Sequence, residues 1–165
     1  QYVVECMIHY SDNTATKMLI DYLGKENINL TMRQIGLQKT VIGNSDLLKA
    51  EGLNYSSSRD MTLLLSKLSK GQVVSAKASR EMLLILSQQK YRWGIPKPVP
   101  SDVLVANKTG TLNGIKHDCG VVLMKDSPYA ISVFTSGFPS SYKAMGIISS
   151  LSDTVFKWAM SKSAS

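Results

Sequence analysis

The stretch ANKTGTLNGIKHDCGVV, residues 106–122, decides the reading of this chain. An apolar run, Val103 to Ala106, leads into Asn107, and then Lys108, Thr109 and Gly110 stand in a row. The run predicts a strand over residues 103–112. A cation, a hydroxyl and bare backbone side by side suit an anionic ligand lying along that strand. The ammonium supplies charge, the hydroxyl a donor, and the glycine lets a ligand backbone come close. Such a site asks for further polar groups, and a nucleophile, from elsewhere in the chain.

Working outward, two more strand-like runs follow, over residues 119–125 and 129–136. Lys125-Asp126-Ser127-Pro128 makes a tight turn between them, which predicts a hairpin. Ser140 or Ser141 caps a last helix reaching about Met160, with Ile147, Ile148, Leu151, Val155 and Trp158 as its apolar face. Upstream, WGIPKPVPSD holds three prolines in ten residues and excludes regular helix. Before it the texture is helical. Residues 2–10 read as a buried helix. Ser11-Asp12-Asn13-Thr14 opens another, stopped by Gly24, and Asn27 or Asn29 caps a short one ending at Gly36. Residues 37–56 read as a loop with at most one turn near Leu47. Met61, Leu64, Leu65 and Leu68 share one helical face behind a Ser57/Asp60 capping box, and a further helix runs from about Ser75 to Gln89. Helices, then an antiparallel meander, then a helix make an α+β layout. It divides into a helical lobe, residues 1–95, and a sheet lobe, residues 96–165.

Composition bounds the function. The 165 residues are 44% apolar and 19% charged, enough for one domain with a packed core. The net charge of +7 comes from scattered lysines and arginines, weakly interleaved with aromatics. That excludes a nucleic-acid footprint and fits a surface that favours anionic ligands. Cys6 and Cys119 lie far apart and outside any C-x-x-C pair, so no metal or cofactor is expected, and two free buried thiols are expected over a disulfide. No run approaches the roughly 20 apolar residues that span a bilayer. Gln1 opens directly into an apolar segment and reads as the middle of something longer. The lack of a leader here therefore says nothing of destination.

Ser11-Asp12-Asn13 at a helix start and Lys108-Thr109-Gly110 on a strand match two of the three motifs of the penicillin-recognising serine enzymes. That superfamily holds the class A β-lactamases and the D-alanyl-D-alanine peptidases. YSDNTATKMLIDYLG, NYSSSRDMTLLLSKLSKG, EMLLILSQQKYRWGIP and KTGTLNGIKHDCGVV resemble successive elements of the family, in order. The resemblance implies a β-lactamase/transpeptidase-like fold, here incomplete. It also implies acyl transfer from a β-lactam or a D-Ala-D-Ala-type peptide, outside the cytoplasm of a bacterium. Lys108 and Thr109 would then hold the substrate carboxylate and Gly110 would admit its backbone. The Thr111 N–H would be one oxyanion donor, Ser11 a proton relay, and Asn13 a holder of the substrate amide. Asp12 is read as structural.

The third motif, S-x-x-K, should precede Ser11 by several dozen residues. Ser140-Ser141-Tyr142-Lys143 follows both other motifs and reads as a helix cap, and Thr14-Ala15-Thr16-Lys17 overlaps the S-D-N helix. The nucleophile is therefore expected on a segment absent from this chain, which leaves the chain alone inactive. Glu51-Gly52-Leu53-Asn54 falls one residue short of the class A E-x-x-L-N loop, and Glu51 is the candidate deacylation base. His9 and His117 lack metal-ligand spacing, and His117 reads as a turn or strand-end residue. The missing part would be supplied by an N-terminal fragment or hidden by self-association. A penicillin- or peptidoglycan-binding sensor and a non-catalytic structural fragment are the alternatives.

Overall fold

The computed structural model describes residues 1–45 and 54–163. Five helices lead: α1 (Tyr2–His9), α2 (Asn13–Leu23), α3 (Lys25–Ile35), α4 (Ser58–Ser69) and α5 (Ala76–Ser87). Three strands follow, β1 (Leu104–Leu112), β2 (Ile115–Leu123) and β3 (Tyr129–Ser136), and α6 (Ser141–Ser163) closes the chain. The sheet is antiparallel in the order β1-β2-β3. This is the α+β layout expected.

Local chemistry explains most boundaries. Asp12, extended at its own backbone, accepts the Ala15 N–H at 2.7 Å and starts α2, which confirms its structural role. Ser57 and Ser75 do the same for α4 and α5 by accepting the N–H of Asp60 and Ala78. Gly36 ends α3 in the left-handed region at φ 101°. The Asp60 carboxylate does not complete the capping box. It turns to the Lys39 N–H (2.7 Å) and the Thr40 hydroxyl (2.9 Å), pinning the segment after α3 to α4.

Both faces of the sheet are covered. Helices α4 and α5 pack on one, where Leu65, Leu68, Val73 and Leu83 meet Ala106 and Val121. Helix α6 packs on the other, where Ile148, Phe156 and Ala159 meet Val105, Val122 and Met124 around Ile95 and Val99.

Several expectations are corrected. Helix α1 is amphipathic rather than buried: only His9 is buried, and Tyr2 is 77% exposed. Helix α3 starts at Lys25 from Gly24, so Asn27 and Asn29 lie inside it. Strand β2 begins at Ile115, so His117 is a mid-strand residue stacked on Phe134 at 4.1 Å. Its polar flank had the look of a turn. The inward face of α6 is Ala144, Ile148, Ser152, Phe156 and Ala159, while Ile147, Leu151 and Trp158 face outward. Met18 and Met160 are half exposed. The two cysteines are free and partly exposed.

Candidate active site

The site forms where the start of α2 meets β1. Helix α1 ends at His9, and the chain must turn sharply before Asp12 can cap α2. Ser11 makes that turn at φ 54°, a left-handed conformation uncommon for a residue with a Cβ. Local strain of this kind gathers at sites where a side chain must be aimed. Here the Ser11 hydroxyl accepts a hydrogen bond from Lys108 Nζ, from 97 residues away in sequence. The same ammonium donates to the Thr109 carbonyl at 2.8 Å.

Both partners of Lys108 are neutral. Among the described residues no carboxylate pairs with it, so its charge is uncompensated by contact. Burial pushes its pKa down, and the Cys119 and Asp118 side chains nearby act in the opposite direction. A lysine eased toward neutrality and bonded to a serine hydroxyl is suited both to attract an anion and to pass a proton.

Strand alternation sorts the rest. Gly110 lies on the Lys108 face, opposite His117. A Cβ at Gly110 would meet only His117, its Cβ at 3.5 Å and Cδ2 at 3.9 Å, both ordinary contacts, and the backbone there is not left-handed. Neither packing nor conformation demands a glycine at this position. Thr109 points to the other face and is buried, so its carbonyl, not its hydroxyl, touches Lys108. Thr111 is exposed, and its hydroxyl accepts from Lys116 Nζ at 3.2 Å. Asn13 is exposed at the first position of α2.

The structure thus brings Ser11 and Lys108 into contact, with Gly110 two residues on along the Lys108 face of β1 and Asn13 opening α2. Glu51 lies outside the described residues. The neck of its loop is tied, since the Asn54 side chain accepts the N–H of Gly43 and Asn44 at 2.9 and 3.1 Å and Val41 bridges Tyr55. Neither S-x-x-K-like run joins the site. Ser140 precedes α6 and accepts the Lys143 N–H, and Lys17 is ion-paired with Asp21.

Sequence reading missed Lys116. Its ammonium stands 4.8 Å from the Trp93 ring centre and beside Thr111, a second cation at the end of β1. The only sequence signal was a lysine in a segment taken for a turn. His117 is used for packing, and burial lowers its pKa. Among the described residues no cluster of His, Cys, Asp or Glu could hold a metal. No described helix is long and apolar enough to cross a membrane.

Comparison with known proteins agrees with this fold. A beta-lactamase of Sphaerobacter thermophilus superposes with a TM-score of 0.87 at 26% identity, over 95% of this chain and 62% of its own. PBP-A superposes at 0.86 and 29% identity, over 98% and 61%. A PBP-A mutant, caught as its acyl-enzyme complex with penicillin G, gives the same values. The chain thus spans less than two thirds of the length of these relatives. Comparison with curated sequences returned no match. The model of the Beta-lactamase enzyme family matches residues 1–159, so the chain belongs to this family of penicillin-recognising serine enzymes.

Proposed function

We propose that this chain forms the substrate-holding part of a serine hydrolase. It would act on β-lactams or D-Ala-D-Ala-type peptides through an acyl-enzyme. The observation that supports this best is the Lys108–Ser11 hydrogen bond. It sets an uncompensated ammonium and a hydroxyl on opposite banks of the junction between α2 and β1.

In this reading the substrate carboxylate lies toward the Lys108 ammonium. Gly110 leaves room for the acyl donor to lie along β1. The Thr111 N–H donates to the oxyanion that develops in the transition state. Ser11 carries a proton between Lys108 and the departing nitrogen, and Asn13 holds the substrate's amide. The nucleophilic serine belongs to a segment outside these 165 residues. That segment would cover the free edge of β3 and the apolar stripe of α6, Ile147, Leu151 and Trp158. The working protein would act outside the cytoplasm.

Labelling with a fluorescent penicillin, followed by intact-mass measurement, tests this reading. The expected result is no adduct on this chain alone and an adduct on a complementing N-terminal segment when one is supplied. A stable adduct on the chain itself would overturn the placement of the nucleophile. A ligand-induced thermal shift with no adduct even after complementation would favour a sensor.

A further inference from the structure

Behind the Lys108 face of β1 lies a buried polar cluster that the chemistry above does not use. Asp118 is fully buried on β2 opposite Thr109. Its Oδ2 accepts the Ile95 N–H at 2.8 Å and its Oδ1 accepts Asn107 Nδ2 at 3.0 Å. The same Asn107 Nδ2 reaches the Tyr91 carbonyl at 3.4 Å, and the Ile95 carbonyl accepts the Ser152 hydroxyl of α6 at 2.8 Å.

The connector is also tied to the other half of the site. The Lys90 N–H donates to the His9 carbonyl at 3.2 Å, two residues before Ser11. The Tyr91 N–H donates to Gln89 Oε1 at 3.0 Å, and the Gln89 amide bonds the Ile8 carbonyl. Residues 89–95 therefore bridge the segment that aims Ser11 and the residue that precedes Lys108. Packing is cut to fit the cluster. A Cβ at Gly94 would overlap Asp118 Oδ2 and come within 3.1 Å of its Cβ and Cγ.

We propose that Asp118 is a proton-operated positioning residue, whose carboxylate fastens the 91–95 connector to Asn107 and so sets where Lys108 meets Ser11. Both carboxylate oxygens face N–H donors. A proton on Oδ1 confronts Asn107 Nδ2, and the amide must turn to offer its own buried oxygen, which has no partner while Asp118 is ionised. Turning it removes the bond to Tyr91. A proton on Oδ2 breaks the bond to Ile95. Protonation at either oxygen thus releases one fastening.

Burial pushes the Asp118 pKa from 3.8 up to about 6, while Asn107, the Ile95 and Cys119 N–H groups and the Lys108 ammonium favour the ionised form. The Cys119 thiol is its other ionisable neighbour. Gly94 and Ile95 of the connector, Ser152 of α6 and Val133 opposite on β3 bring no charge. The folded pKa exceeds the ordinary value, so the folded state holds the proton more tightly than the unfolded chain. The stability this group contributes is therefore present below about pH 4 and lost as pH rises through about 6. The latch closes over the upper part of that window.

The test is nuclear magnetic resonance of this chain between pH 4.5 and 8. The Asp118 carboxyl carbon, the Asn107 side-chain amide and the Ile95 N–H should move with one midpoint. After correction for intrinsic rates, the Ile95 amide should exchange at least about tenfold more slowly above the midpoint than below it. Asp118→Asn should stay open at every pH and abolish this dependence. Titration of Asp118 that leaves Ile95 and Asn107 unmoved would overturn the latch, as would a pH dependence that survives in the variant. If the variant does not fold, the wild-type titration decides alone. The consequence for ligand capture rests on the function proposed above. Fluorescent-penicillin affinity of the complemented protein should fall with the same midpoint, and a flat profile would overturn the positioning role. No binding at any pH would sink the hydrolase reading and leave the latch to be judged by exchange.

Discussion

The two faces of β1 are built on opposite terms. On one, Lys108 and Gly110 stand with a neutral hydroxyl as partner and an open glycine that packing does not require. On the other, Asn107 is wholly buried against Asp118, and a Cβ added at Gly120 opposite it would come within 2.8 Å of the Ala106 carbonyl and 2.9 Å of Asn107 Cβ. One face keeps polar groups available, and the other spends them on cohesion. A buried polar group left unpaired is costly, so the cohesive face tolerates little change. The Lys108–Gly110 end of the available face has less stability to lose, because the apolar packing of that face is concentrated at Ala106 and Val121.

That contrast is open to direct attack. The largest effect should come from Gly120→Ala. The added methyl would meet backbone on the neighbouring strand, which cannot step aside, and about 3 kcal/mol of stability should be lost in urea denaturation. A loss below about 0.5 kcal/mol would show that this face is looser than its packing implies. Lys108→Met should leave the melting curve unchanged or slightly raised, since burial already disfavours the ammonium. It should also weaken penicillin binding by the complemented protein about thirtyfold, the worth of one charge-assisted bond. An unfolded variant would move Lys108 from the available face to the cohesive one. The smallest effect on stability belongs to Gly110→Ala, within about 0.5 kcal/mol, because its Cβ meets only an ordinary contact and its backbone is not left-handed. Penicillin affinity should nonetheless drop, and unchanged affinity would mean that no ligand lies along this stretch of β1.

Much of the site was legible because its chemistry is written in contiguous letters. Lys108-Thr109-Gly110 and Ser11-Asp12-Asn13 each sit within one turn or strand, so residue type and local structure sufficed to place them. Asp118 was not legible as a partner of Asn107 and the connector. Its bonds come from two other segments, and its neighbours Lys116 and His117 gave the region the polarity of a turn. The rotation of α6 was hidden for another reason. Apolar residues occur on two of its faces, and only packing against the sheet selects the one carrying Ala144, Ile148, Phe156 and Ala159. Thr109 shows a subtler limit: next to Lys108 in sequence, it is on the other side of the sheet in space.

By itself the sequence determined the succession of helices and strands, the helix starts in Ser11–Thr14, at Ser57 and near Ser75, and the two motifs, because each depends on chemistry within a few residues. Only the tertiary structure decided which groups meet. It turned Ser11 into a left-handed conformation to reach Lys108, and it buried Asp118 where the connector could bind it. Hydrogen bonds between distant segments are settled when surfaces pack, and no local pattern encodes them.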